Sequence, residues 1–323
     1  MHQWTIENDK IQFVKEVDYL GYPYEQIKNG KVATLPKDFD GWFPFMRMCY
    51  SLGDLAIVSG IFEALKTKYP KIQIAWPTNE YIEELLGDYL KSWNYSEDMT
   101  WKENVFTILH NNPHIDYFFE KGEFDTVFTD HERSYTGLVH DGDMIRSCDE
   151  PLAEQILRRF GFTDEDIKNI DSKPKVYFTQ EEIDKCENLI EKYVGSHDYG
   201  CLLFSARVEK YRGRWKEDHL LYPHVEKYKN SKVFYYSQFD LKGTEWENIF
   251  PESYDFTKLG LSLREQIYLK QKAKFNVGYC GGVTEAASGH GSDMISLCAY
   301  PTVKENCVRG STYVFFDGKS KVI

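Results

Sequence analysis

Positive charge is in short supply in this sequence. Its 39 Lys and Arg face 51 Asp and Glu, for a formal net charge of -12 at pH 7, and the pI is near 5.3. A protein that grips a nucleic-acid backbone carries a basic face, so that class is excluded as the main activity. A local basic patch holding a phosphate is not. Cysteine pairs are missing too. The seven Cys show no C-x-x-C spacing, which removes the usual zinc patterns, and an odd, scattered set reads as reduced thiols. No apolar run approaches the ~20 residues of a membrane span. The opening "MHQWTIENDK" lacks the charged-then-apolar order of an export signal. The expectation is a cytoplasmic chain with no transmembrane segment, peripheral contact with a membrane being left open. Three catalytic signatures are absent as well. Without G-x-x-x-x-G-K-[ST] there is no P-loop, and a strict G-x-G-x-x-G is missing. Without G-x-S-x-G there is no hydrolase elbow.

What is present is a two-part α/β pattern. At roughly 150 residues per domain, 323 residues suggest two domains or one large one. The 23 Tyr and 21 Phe fill an aromatic core and also suit a sugar or nucleotide surface. Residues 1–44 read as an irregular region with one hairpin and a turn signal at Asn29-Gly30. "FMRMCY" (45–50) reads as a buried strand. Leu55, Val58, Ile61, Phe62 and Leu65 then recur at helical spacing up to Pro70, and "IQIAW" (72–76) is a second strand. Strand, helix, strand over about 30 residues is a βαβ unit and implies a parallel sheet. "YIEELLGDYLKSW" (81–93) is helical, "VFTIL" (105–109) and "DTVFTD" (125–130) are strands, and "EPLAEQILRRFG" (150–161) is a helix. The polar stretch 163–175 marks the domain boundary.

The alternation then restarts. "KVYF" (175–178) reads as a strand before a helix opened by Thr179 with Glu182 three residues on. "CLLFSA" (201–206), "KVFYYS" (232–237), "FNVGYC" (275–280), "MISLC" (294–298) and "STYVFF" (311–316) are strands. Helices at "YPHVEKY" (222–228) and after Ser262 with Glu265 separate them. The division is therefore a 1–44 extension packed on the first domain, a domain at 45–172 and a domain at 173–323. Each domain is Rossmann-like with a mostly parallel sheet. Ligands of such sheets sit at the carboxyl ends of the strands, and a central cleft between the domains is the default site.

Three strand-to-helix loops carry candidate chemistry. In "SLGD" (51–54), Gly53 allows close approach of backbone and Asp54 stands at a helix start. Asp54 is either an N-cap or a carboxylate at a cleft, able to take a proton from an alcohol. "SARVEKYRGRW" (205–215) gathers Arg207, Lys210, Arg212 and Arg214 in an otherwise acidic chain. That set suits a diphosphate, or else is a solvated basic loop. In "GYCGGVTEAASG" (278–289), Gly281 and Gly282 lead into a helix, which makes either an anion site or a tight turn. The Asp-x-Asp of "HDGD" (140–143) would suit a divalent cation, but such triplets arise by chance among 51 acidic residues. Cys280 lacks a His-rich partner segment and is not read as a nucleophile. No metal is expected, and no cofactor.

Taken in order, these segments resemble the heptosyltransferase-like family of glycosyltransferases. The segments that carry the resemblance are "SLGD" with "LKTKYPKIQIAW", "NNPHIDYFF" (111–119), "LAEQILRRFGF" with "KPKVYFTQEE", "FSARVEKYRGRW", and "LSLREQIYLKQKAKFNVGYCGGVTEAASG". They span about residues 45–300. The resemblance implies a GT-B fold and transfer of a sugar from a nucleotide-sugar donor to a hydroxyl of a glycan or glycolipid acceptor. It implies Asp54 as general base, Arg214 before Trp215 as a contact of the donor diphosphate, and Gly281, Gly282 and Thr284 as its phosphate turn. Arg207 and Lys210 join the donor side, with Glu285; Gly53 and Trp42 are placed on the acceptor side, where Trp42 either stacks on a sugar or packs the extension. The chain departs from the family at Cys280 and Glu285, where Asp and His are expected, so ADP-heptose is not implied. The mechanism expected is inverting and metal-independent. A non-catalytic nucleotide- or sugar-binding scaffold and a sugar-nucleotide epimerase are the alternatives.

Overall fold

The computed structural model describes residues 2–7, 10–16, 35, 37–46, 52–78, 80–81, 108–124, 128–129, 151–204, 213–237, 241–279, 293–298, 310–315 and 319–322. They form two compact units, Met1–Ser172 and Lys173–Ile323.

The first unit opens with an antiparallel hairpin of β1 (His2–Glu7) and β2 (Lys10–Glu16). Asn29-Gly30 lies outside the described residues. A parallel sheet follows, of β3 (Asp40–Met46), β4 (Lys71–Pro77), β5 (Tyr117–Phe119) and β6 (Phe128–Thr129), in the order β5-β4-β3-β6. β3 starts five residues before the strand expected from "FMRMCY", so residues 40–44 belong to the sheet. Pro44 hides it in the sequence, because a Pro within an apolar run argues against an interior strand. Here Pro44 sits opposite Ala75 of β4, while Phe43 and Phe45 are fully buried and meet the Phe160 ring at 5.0 and 5.7 Å.

Between β3 and β4 the expected helix is two, α1 (Leu52–Ser59) and α2 (Ile61–Lys68), divided at Gly60. Leu55, Val58, Ile61, Phe62 and Leu65 are all buried, as their spacing predicts. At the end of α2 the Lys66 ammonium donates to the Ile72 carbonyl at 2.8 Å and pairs with Asp116, whose carboxylate also accepts from the Ile74 N–H at 2.6 Å. The "NNPHID" segment is thereby the brace that seats β5 on β4. The strand expected at 105–109 is corrected: Ile108 and Leu109 are helical, and the pairing strand comes eight residues later. Of the expected 81–93 helix only Tyr81 is described; it is helical, as is Glu80 before it. Helices α3 (Leu152–Arg159) and α4 (Asp164–Asn169) complete this unit, so the polar stretch is partly helical, opened by a Thr163–Asp166 capping box.

The second unit holds seven strands in the order β13-β12-β11-β10-β7-β8-β9. They are β7 (Tyr199–Phe204), β8 (Lys232–Ser237), β9 (Ser253–Asp255), β10 (Phe275–Tyr279), β11 (Asp293–Cys298), β12 (Thr312–Phe315) and β13 (Ser320–Val322). All pairings are parallel except β12–β13. "KVYF" is corrected from strand to coil; it leads into α5 (Gln180–Tyr193), whose Thr179–Glu182 capping box forms in both directions. β7 is buried along its whole length. Tyr199, Cys201 and Leu203 face a cluster with Cys186, Ile190, Tyr268 and Leu269. Leu202 and Phe204 face another, with Leu221, Val225 and Trp246. A strand between two helical layers must be apolar on both faces, which is why "YGCLLF" reads as one continuous run.

Candidate active site

Both parallel sheets are wound outward from their first strand in two directions. In the second unit β7, β8 and β9 lie to one side and β10, β11 and β12 to the other, with the reversal between β7 and β10. In the first unit the corresponding reversal lies between β3 and β6. At such a switch point the connections leave in opposite directions, opening a crevice outside the carboxyl ends of the two strands. Of the candidate residues, Trp42, Gly53, Asp54 and Arg214 are among those described.

At the first edge, β3 ends at Met46 and α1 begins at Leu52. Gly53 and Asp54 are therefore already helical, in the first turn, and the backbone rules out Asp54 as the residue that precedes the helix. A negative charge in a first turn is favoured by the unsatisfied N–H groups there. Trp42 is not brought to this edge. It lies four residues before the end of β3, about 13 Å back along the strand, and is 41% exposed. Its ring packs on Tyr117 at 5.9 Å and on Phe124 at 5.7 Å. The "HDGD" stretch lies outside the described residues.

At the second edge, the backbone of Arg214 and Trp215 belongs to a 3-10 segment, Gly213–Leu221, that follows β7. Arg207, Lys210 and Arg212 lie outside the described residues, as do Cys280, Gly281, Gly282, Thr284 and Glu285. The carboxyl ends of β7 and β10 are neighbours: Leu203 pairs with Gly278. Gly278 is required for this approach, because a Cβ there would stand 2.3 Å from the Leu203 carbonyl oxygen.

The floor of this edge is a polar and aromatic cluster that the sequence reading missed. The last residues of β7 and β10, Phe204 and Tyr279, have ring centroids 5.7 Å apart. Trp246, in the helix Glu245–Ile249 after β8, lies 4.7 Å from Phe204. Its indole Nε1–H donates to Asp218 Oδ2 at 2.7 Å. The hydroxyl of Tyr222, whose ring is 5.1 Å from Trp246, and the His219 N–H also bond to this carboxylate. Burial pushes the Asp218 carboxyl above its ordinary range against those three bonds. Burial, with the Asp218 charge, pushes the Tyr222 phenol up to about 12 and raises Tyr279 as well. In an acidic chain nothing marks Asp218 beyond its place three residues after Trp215.

Comparison with known proteins agrees with the fold. No family model and no curated protein matches this sequence. The structure aligns over 87% of its length with 88% of a glycosyl transferase family 9 protein from Veillonella parvula DSM 2008, at a TM-score of 0.53 and 11% identity. It also aligns with the E. coli heptosyltransferase WaaC with ADP, over 85% of this chain and 93% of that one, at 0.43 and 12%. For E. coli ADP-heptose lps heptosyltransferase II the values are 85%, 90%, 0.41 and 8%. The fold expected from the sequence, of the GT-B type, is therefore the one observed. Among the described residues, no helix is long and apolar enough to cross a membrane.

Proposed function

We propose that this chain is an inverting glycosyltransferase that needs no metal and moves a sugar from a nucleoside-diphosphate sugar to an acceptor hydroxyl. The observation that carries the reading is the switch point between β7 and β10. The loop rich in Arg and the Gly281-Gly282 turn continue from the adjacent carboxyl ends of these two strands. A diphosphate there would meet Arg207, Lys210 and Arg214 on one side and the N–H groups after Gly281, with Thr284, on the other, leaving Glu285 to the rest of the donor. The proposed acceptor is a glycan or glycolipid.

In the step itself, Asp54 takes the proton of the acceptor hydroxyl. That oxygen bonds to the anomeric carbon from the face opposite the diphosphate. The carbon–oxygen bond to the diphosphate breaks, and its electron pair leaves with the nucleotide. Charge grows on the departing phosphate, where fixed cations and N–H groups stabilise it. Gly53 keeps the backbone beside Asp54 free of a side chain.

The test is a thermal-shift series with UDP, GDP, ADP and CMP and their common sugars. One nucleotide class should raise the melting midpoint of wild type and not of Arg214→Ala. Asp54→Asn should keep that shift and lose at least ~100-fold in turnover, the low end for removing a general base. No shift with any nucleotide would overturn the donor site. Near-normal turnover of Asp54→Asn would overturn the base. Turnover of donor without any acceptor would favour an epimerase.

A further inference from the structure

We propose that Asp218 is a positioning residue of the donor site: it fixes the Gly213–Leu221 segment, and with it the backbone of Arg214, to the carboxyl edge at the switch point. This rests on the donor-site reading above.

Three elements meet at one carboxylate. Asp218 sits on the segment after β7, one turn beyond Arg214. Its Oδ2 accepts from Trp246, which belongs to the connection after β8. Trp246 is 2% exposed and stacks with Phe250, so the donor is anchored in the core and does not follow the segment. Through Trp246 and Phe204 the same group reaches Tyr279, where the Gly281-Gly282 connection begins. Asp218 thus ties the segment carrying the backbone of Arg214 to Trp246, which packs on the end of β7.

The sign of its charge argues for positioning over contact. A carboxylate beside a diphosphate repels it, and a partly desolvated one costs free energy in the folded protein. Direct binding of the leaving group does not account for such a residue. Its three donors do: the indole N–H, the Tyr222 hydroxyl and the His219 N–H all hold it in place. A 3-10 segment of nine residues is longer than such helices usually remain stable unaided, so an external tie is what keeps this one in register.

The experiment is a double-mutant cycle on the full chain. Affinities for ADP, GDP and UDP are measured for wild type, Asp218→Ala, Arg214→Ala and the double variant, with Asp218→Asn and Trp246→Phe beside them. Asp218→Ala should weaken the nucleotide that binds wild type by about tenfold or more, as expected for a lost charge-assisted tie. Asp218→Asn keeps an acceptor for the indole N–H and should bind within about threefold of wild type. In the Arg214→Ala background, Asp218→Ala should have no further effect, because residues acting as one unit are not additive. Trp246→Phe, which keeps the ring packing and removes the N–H, should weaken binding in the same direction and covers the case in which Asp218→Ala does not fold. Unchanged affinity in Asp218→Ala, or in Trp246→Phe where the former is unfolded, would overturn the inference alone. So would additive losses in the cycle, or a loss in Asp218→Asn equal to that in Asp218→Ala. Failure of wild type to bind any of the three nucleotides would overturn the donor site, and this inference with it.

Discussion

Burial, not residue type, decides the chemistry of several single residues. Lys270 is the clearest case: it is 1% exposed, with its ammonium 5.6 Å over the Phe256 ring. Helix Leu263–Lys272 is covered on both sides in its second half: Tyr268, Leu269, Lys270 and Gln271 are all buried. Burial draws the Lys270 ammonium down to about 7. An unfolded Lys titrates near 10.4, so between about pH 7 and 10.4 the unfolded chain binds the extra proton and stability rises with pH. Below about pH 7 the penalty is complete and constant. Lys270→Met should therefore be more stable at pH 7, by ~1–4 kcal/mol, and its advantage should shrink as pH approaches 10. Urea denaturation of both proteins at pH 7, 8.5 and 9.5 reads this directly, and an advantage that does not change with pH would contradict the buried ammonium. Cys186 and Cys201 are free and buried, with thiols pushed up to about 12 by desolvation. Nothing in the sequence marks Asp218, because its indole donor, Trp246, comes from a separate connection.

Elements were legible where a local rule fixes them. The capping boxes at Thr179–Glu182 and Ser262–Glu265 were read from spacing alone, and both form with reciprocal bonds of 2.7 to 3.2 Å. β7, β8, β10, β11 and β12 were found from apolar runs. Those missed had a local contradiction or too little length: β3 carries Pro44, and β9 and β13 have three residues each. "KVYF" has strand-like composition but no partner strand among the described residues. Gly278 shows how one element depends on its neighbour. The sequence offers it as a flexible point, whereas β10 needs it for close approach to β7. Gly278→Ala should cost ~1–3 kcal/mol, the usual range for overpacking, because the atoms in the way are the Leu203 backbone and Cβ. Chemical denaturation checks it, and a loss below about 0.5 kcal/mol, the scatter of neutral substitutions, would mean that the sheet relaxes.

At the scale of the whole molecule, the order of strands is what the sequence withheld. Alternating strands and helices identify parallel sheets, but nothing local says that β10 returns to lie against β7. That pairing sets the carboxyl ends of β7 and β10 side by side, and it is legible only in the topology. A bound nucleotide should therefore protect amides across the switch point more than elsewhere. Hydrogen exchange at 100 times Kd, where mass action adds about 2.7 kcal/mol, should slow most in 201–204, 213–225 and 275–279. Slowing confined to the first unit would place the nucleotide there instead. The same topology governs how the chain is made. β10 follows β7 by about 70 residues. At roughly 5–20 residues per second of synthesis, one edge of the most buried strand stays open on the ribosome for several seconds. The nascent second unit is thus a naked β-edge until Phe275–Tyr279 emerges. Chaperone occupancy, and the aggregation of chains truncated before that point, should peak in this interval.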